Sequence, residues 1–177
     1  HGGILPGAGG AALKLTVANE LRVDGRVEAE GDPGVASQHR SNHCGGGGGG
    51  GGSLLLYAGS VAGTGVVSVN GGASQRHEEA TGELYGVGGS GAAGAIALYV
   101  RHGGSDCGVP FTVEAYSPAS VKKGTRINTM GSRGAPGTFY FNCSRTGSDA
   151  IDRVTVDDHL TGATGESAVQ PPPANIF

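Results

Sequence analysis

Apolar and polar residues alternate in four short stretches of the chain: ALKLTV from Ala12, SLLLYA from Ser53, AIALYV from Ala95 and TFYFNC from Thr138. Alternation at a period of two is the signature of a strand with one buried face. The first inward apolar residues, Leu13, Leu54, Ile96 and Phe139, follow one another at steps of 41, 42 and 43 residues. A glycine cluster precedes each strand: Gly7-Ala8-Gly9-Gly10, the run Gly45 to Gly52, Gly91-Ala92-Ala93-Gly94 and Gly134-Ala135-Pro136-Gly137. A second apolar segment follows each one, RVEAEG, VVSVNG, TVEAYS and RVTVDD. Their valines Val27, Val67, Val113 and Val154 are spaced 40, 46 and 41 residues apart. Two independent landmarks that keep one period predict a repeat of four units.

Strand periodicity assigns the faces. Leu13/Leu15/Val17, Leu54/Leu56/Ala58, Ile96/Leu98/Val100 and Phe139/Phe141/Cys143 are expected inside, with Val27/Ala29, Val67/Val69, Val113/Ala115 and Val154/Val156 from the second strands. Thr16, Tyr57, Tyr99 and Asn142 then face outward at equivalent positions. The glycine clusters read as stacked turns whose corners need positive φ. The segments 31–44, 72–90 and 117–133 are polar and irregular, and His77-Glu78-Glu79-Ala80 supports a turn of helix at most. The expected fold is all-β: a parallel β-helix or β-solenoid of four units of about 42 residues, with an eight-stranded β-sandwich or jelly roll as the alternative. Residues 1–6 read as an extended arm, 7–160 as one repeat domain, and 161–177, with Pro171-Pro172-Pro173, as an extended tail.

Composition narrows the function classes. Of 177 residues 37 are glycine and only 15% are charged, so the surface is built from Gly, Ser, Thr and Asn. Net charge is −3 and no basic cluster exceeds Lys122-Lys123; nucleic acid is not an expected partner, because phosphate binding needs a basic face. No apolar stretch has the roughly 20 residues of a transmembrane helix. The chain opens on His1 rather than Met, as the product of a removed secretory signal would. Cys44, Cys107 and Cys143 allow one disulfide with one thiol over. Asn142-Cys143-Ser144 is an N-glycosylation sequon, on the outward face. Together these point to an extracellular or cell-surface location.

Laid out as units, GGSLLLYAGSVAGTGVVSVNGG, GAIALYV with FTVEAY, and GAPGTFYF with VTVDD resemble a class of Gly-rich extracellular β-repeats of the form GGSILLxAG…GxISANGG, GGRIALYY and GTVYLK. The resemblance spans roughly residues 7–158 and extends to the β-helical passenger regions of adhesins. It implies a surface or matrix scaffold and brings no catalytic residues with it.

The remaining chemistry reads as weak. His39, His43 and Cys44 form an H-x3-H-C cluster, short of the four ligands of a zinc site. His1 lacks a recognisable second copper ligand. Asp149, Asp152, Asp157 and Asp158 fit no calcium loop. Glu28 and Glu30, sharing a strand face, and Glu78-Glu79 are the carboxylate pairs a glycosidase would require, and they read as solvated. No enzyme activity, metal or cofactor is expected. The expected function is a structural subunit of an extracellular filament, surface layer or matrix. Identical subunits would join through terminal arms or open ends, using Ile4, Leu5, Pro171, Pro172, Pro173, Ile176 and Phe177. The alternative is an adhesin or carbohydrate-binding module stacking glycans on Tyr57 and Tyr99.

Overall fold

A computed structural model of the chain describes residues 5–35, 45–74, 76–78, 84–103, 108–118, 133–145 and 148–157. These residues are all-β and contain no helix; none of them forms a helix long and apolar enough to cross a membrane. Ten strands are present: β1 (Ala12–Arg22), β2 (Arg26–Glu28), β3 (Ser53–Ala62), β4 (Val66–Ser68), β5 (Arg76–Glu78), β6 (Leu84–Val87), β7 (Ala95–Gly103), β8 (Thr112–Glu114), β9 (Gly137–Arg145) and β10 (Ser148–Asp157).

The four alternating segments are β1, β3, β7 and β9, and they lie side by side in parallel in a five-stranded sheet of order β1-β3-β7-β9-β10. Leu13 pairs with Leu54, Leu54 with Ile96, and Ile96 with Phe139. This is the register read from the repeat, and it stacks like residues on like. The short strands form a second parallel sheet, β2-β4-β8, with Val27 beside Val67 and Val67 beside Val113. Apolar side chains of both sheets join in one core. Leu54, Leu56, Ile96 and Leu98 are at most 2% exposed, and burying each contributes about 1.5–3 kcal/mol.

Unit four departs from the pattern. Its second segment does not continue β2-β4-β8; β10 folds back antiparallel on β9, so that Val154 pairs with Tyr140. The paired residues Arg145 and Ser148 are separated by Thr146-Gly147 alone, and a two-residue link containing glycine favours a hairpin. Residues 76–78 are likewise not helical: β5 pairs antiparallel with β6 in a third, two-stranded sheet.

The glycine clusters are not turns. Gly7 and Gly10 donate to Gly47 and Gly50 of the next unit, and Gly48 and Gly51 donate to Gly89 and Ala92 of the one after. Gly49 and Gly52 instead donate across the molecule to Asp32 and Ala29, which follow β2. Bonds that recur every three residues and leave the segment for different neighbours have the periodicity of polyproline II, which makes no internal hydrogen bonds. Two layers of such segments therefore lock together by backbone contact alone, and glycine is required for space. A β-carbon on Gly52 would lie 1.9 Å from the oxygen of Ala11, and one on Gly94 1.8 Å from that of Gly52. Among the described residues only Gly63, at the corner between β3 and β4, has positive φ (105°).

Candidate functional site

Among the described residues three surface features gather apolar, polar or aromatic side chains. The first is the outer face of unit one. β1 is the edge of the large sheet, and no described strand pairs with its other side. Leu13 is 43% exposed, whereas its partners Leu54 and Ile96 are sealed. Leu5, bridged antiparallel to Val35, is 60% exposed and Val35 52%. These three are the large exposed hydrophobics among the described residues, and all lie in unit one. Ala8 and Ala11, also exposed, occupy positions where units two and three carry Gly49, Gly52, Gly91 and Gly94.

The second is a polar groove of about 440 Å³ on the outer side of β2-β4-β8, lined among others by Arg26, Glu30, Asn70, Glu114, Tyr116 and Pro118. Register builds it. Glu28, Ser68 and Glu114 are neighbours across the sheet, and Glu30, Asn70 and Tyr116 follow two residues later. Asn70, 5% exposed, donates from Nδ2 to Glu30 Oε1 (3.0 Å) and Glu114 Oε2 (3.3 Å) and accepts at Oδ1 from the Tyr116 amide (3.0 Å). Buried Ser68 donates to Glu30. The Arg26 guanidinium bonds Glu28 and lies 3.8 Å from Glu30 and 3.7 Å from Glu114. The hydrogen bond to Glu28, with the charges of all three carboxylates, holds Arg26 above its ordinary pKa. The result is an acceptor-rich patch, three carboxylates around one guanidinium, suited to hydroxyls. Among the described residues no cluster of three His, Cys, Asp or Glu side chains is arranged to hold a metal ion.

The third is an aromatic ladder on the outer face of the large sheet. Tyr57 and Tyr99 stack at 4.8 Å between centroids and 14° between planes, Tyr140 leans on Tyr99 at 5.5 Å, and the Lys14 ammonium sits 5.6 Å over the Tyr57 ring. Tyr57 and Tyr99 thus turn a face toward each other rather than toward solvent.

The other expected site residues are placed as follows. Asn142 lies on the interior strand β9, between Tyr99 of β7 and Asp152 of β10. Cys143 is fully buried, as its inward strand position implied, and is disulfide-bonded. His1, Ile4, His39, His43, Cys44, Glu79, Cys107, Asp158, Pro171, Pro172, Pro173, Ile176 and Phe177 lie outside the described residues. Sequence reasoning singled out Glu28 and Glu30 but not Arg26, Asn70 or Glu114, although the spacing of the second strands already placed Glu28 level with Glu114. Comparison with family models, curated proteins and solved structures finds no match.

Proposed function

We propose that this chain is a structural subunit of an extracellular filament, surface layer or matrix, built on a short parallel β-solenoid of four units and associating with copies of itself through the uncovered end of that stack. The observation that carries the reading is that, among the described residues, the large exposed hydrophobics Leu5, Leu13 and Val35 gather on unit one. Exposed apolar groups concentrated at one end mark a contact surface, and an open edge strand invites pairing with another chain. The low charge and the Gly/Ser/Thr surface fit a matrix component, and the disulfide at Cys143 fits an oxidising compartment. Sedimentation velocity and electron microscopy of the full chain test it. Self-association is expected, and it should be lost in a folded Leu13→Lys variant; assembly unchanged by that substitution would overturn the reading.

A second reading, a glycan-binding surface protein, is favoured by the groove around Asn70, where Glu30, Glu114 and the ring of Tyr116 offer the acceptors and apolar plane that bind sugars. Glycan-array binding lost in Tyr116→Ala would support it, and binding retained in that variant would remove the groove from consideration.

A further inference from the structure

We infer that the partner of β1 is the β1 strand of a second copy, paired antiparallel about a two-fold axis at Leu15; this rests on the self-association reading above. No described strand pairs with the free side of β1, and a second copy could meet it in two arrangements. A neighbour could continue the stack in parallel, as β3 continues β1, or it could approach in the opposite direction.

The glycine half of the molecule decides between them. At the position held by Gly52 and Gly94 in units two and three, the β-carbon direction runs into the carbonyl of the preceding unit, with separations of 1.9 and 1.8 Å for a methyl built there. At Gly49 and Gly91 the separations are 1.9 and 1.8 Å. Unit one has real methyls at these two positions, Ala11 and Ala8, and both are exposed. A parallel neighbour stacked with the same geometry would drive two of its carbonyls into those methyls. An antiparallel neighbour centred on Leu15 carries its own glycine layer to the far end of β1, away from Ala8 and Ala11.

The strand is self-complementary in that direction. With Leu15 opposite its own copy, Leu13 faces Val17, Lys14 faces Thr16 and Ala12 faces Ala18, so apolar residues meet on the core side and no like charges meet on the outer side. A two-fold contact requires this self-complementarity, because each residue meets its mirror position. Leu13, left 43% exposed in the single chain, gains a cover in Val17 of the second copy. The ladder ends at Ala18, where the pairing of β1 with β3 shifts register between Val17 and Glu20. Beyond it the charges of unit one alternate in sign, Glu20, Arg22, Asp24, Arg26 and Glu28, and two of these pairs are already closed within the chain, Arg22 on Asp24 and Arg26 on Glu28. Such a contact closes on itself. The chain therefore associates in pairs, and a filament is a string of pairs joined at another surface.

The test is the dimer dissociation constant of the full chain by sedimentation equilibrium, with Thr16 as the probe because it is exposed and lies opposite Lys14 of the second copy. Cross-strand charge pairs contribute about 0.2–1 kcal/mol each and the two-fold makes two of them, so Thr16→Glu should tighten the dimer about 2- to 30-fold. Thr16→Lys should weaken it by a similar factor, and adding Lys14→Glu to Thr16→Glu should reverse the gain. Self-association that responds equally to Thr16→Glu and Thr16→Lys, or to neither, would overturn the two-fold pairing while leaving the assembly reading standing. A wild-type chain that stays monomeric at every concentration would remove both.

Discussion

Gly49 of unit two stands so close to Ala8 of unit one that a β-carbon on Gly49 would lie 1.9 Å from the Ala8 carbonyl oxygen. Its neighbour Gly50 has room for one: a β-carbon placed there would meet only the Ala92 carbonyl oxygen, at an ordinary contact distance of 3.8 Å. One run of glycines thus contains positions that need glycine and positions that only tolerate it. Gly49→Ala forces the two units apart and should destabilise the fold by at least the 1–3 kcal/mol of an overpacked site. Gly50→Ala should be neutral or stabilising by about 0.4–1 kcal/mol, through the unfolded chain it restricts. Denaturant titration of the two variants checks the contrast; equal effects would mean that the glycine segments are not packed backbone to backbone.

Tyr57 and Tyr99 hold one face of each ring against the other across β3 and β7, which makes them part of the sheet's own packing. A double-mutant cycle with Tyr57→Ala and Tyr99→Ala should give a coupling of about 0.5–1.5 kcal/mol in stability. Tyr99→Phe should leave it intact, since the ring and not the hydroxyl makes the contact. Zero coupling would show that the rings act independently.

Much of the fold was legible because its period is carried by large apolar side chains. Leu13, Leu54, Ile96 and Phe139 pair in the register their spacing implied, and Val27, Val67 and Val113 do the same. Val154 was misassigned because its strand has the same alternation as the others; only the short Thr146-Gly147 link betrays a reversal of direction. The glycines were given the wrong reason for the same kind of cause. Sequence shows that a side chain is missing but not whether a bend or a neighbour excluded it, and here neighbouring backbone did so at nearly every close position. The groove was half visible: Glu28 and Glu30 share a face by strand period, but Arg26 and Asn70 gain meaning only once three units are placed side by side.

Asn70 is the centre of that groove, and its amide serves Glu30, Glu114 and the Tyr116 backbone at once. Asn70→Ala leaves the Tyr116 amide without this acceptor and should cost about 1–3 kcal/mol. Asn70→Asp keeps the acceptor but adds a negative charge beside two carboxylates. Its loss of stability should therefore be larger at pH 7, where the introduced Asp is charged, than in strong acid, where that charge is gone. Chemical denaturation at the two pH values reads the difference, and a pH-independent loss would show that charge is not the cause.

The Arg22–Asp24 pair, 2.6 Å apart at the corner after β1, gives the chain an acid-sensitive element. The hydrogen bond from Arg22 holds the Asp24 carboxyl below its ordinary pKa. A carboxyl with a lowered folded-state pKa stabilises the fold above its unfolded value, and that contribution fades as pH falls through the folded value. Wild type and Asp24→Asn should thus differ at neutral pH and converge in strong acid. Both side chains are more than half exposed, so the difference should be small and should shrink with added salt. A gap that widens on acidification would contradict this assignment.

Cys143, fully buried on β9 beside Val100 of β7, ties the last long strand of the parallel stack to the rest of the chain through its disulfide. The sequence offers Cys44 and Cys107 as its possible partners, so one thiol must remain. Alkylation of the unfolded, unreduced chain should add one label, and peptide mapping should find Cys143 cross-linked. Reduction should lower stability by about 2–4 kcal/mol, because the open chain gains conformations that the cross-link removes. Cys143→Ala should show a comparable loss and no further response to reductant. A stability that reductant leaves unchanged in the wild type would mean that the stacked glycine segments and the apolar core hold unit four in place without the bond.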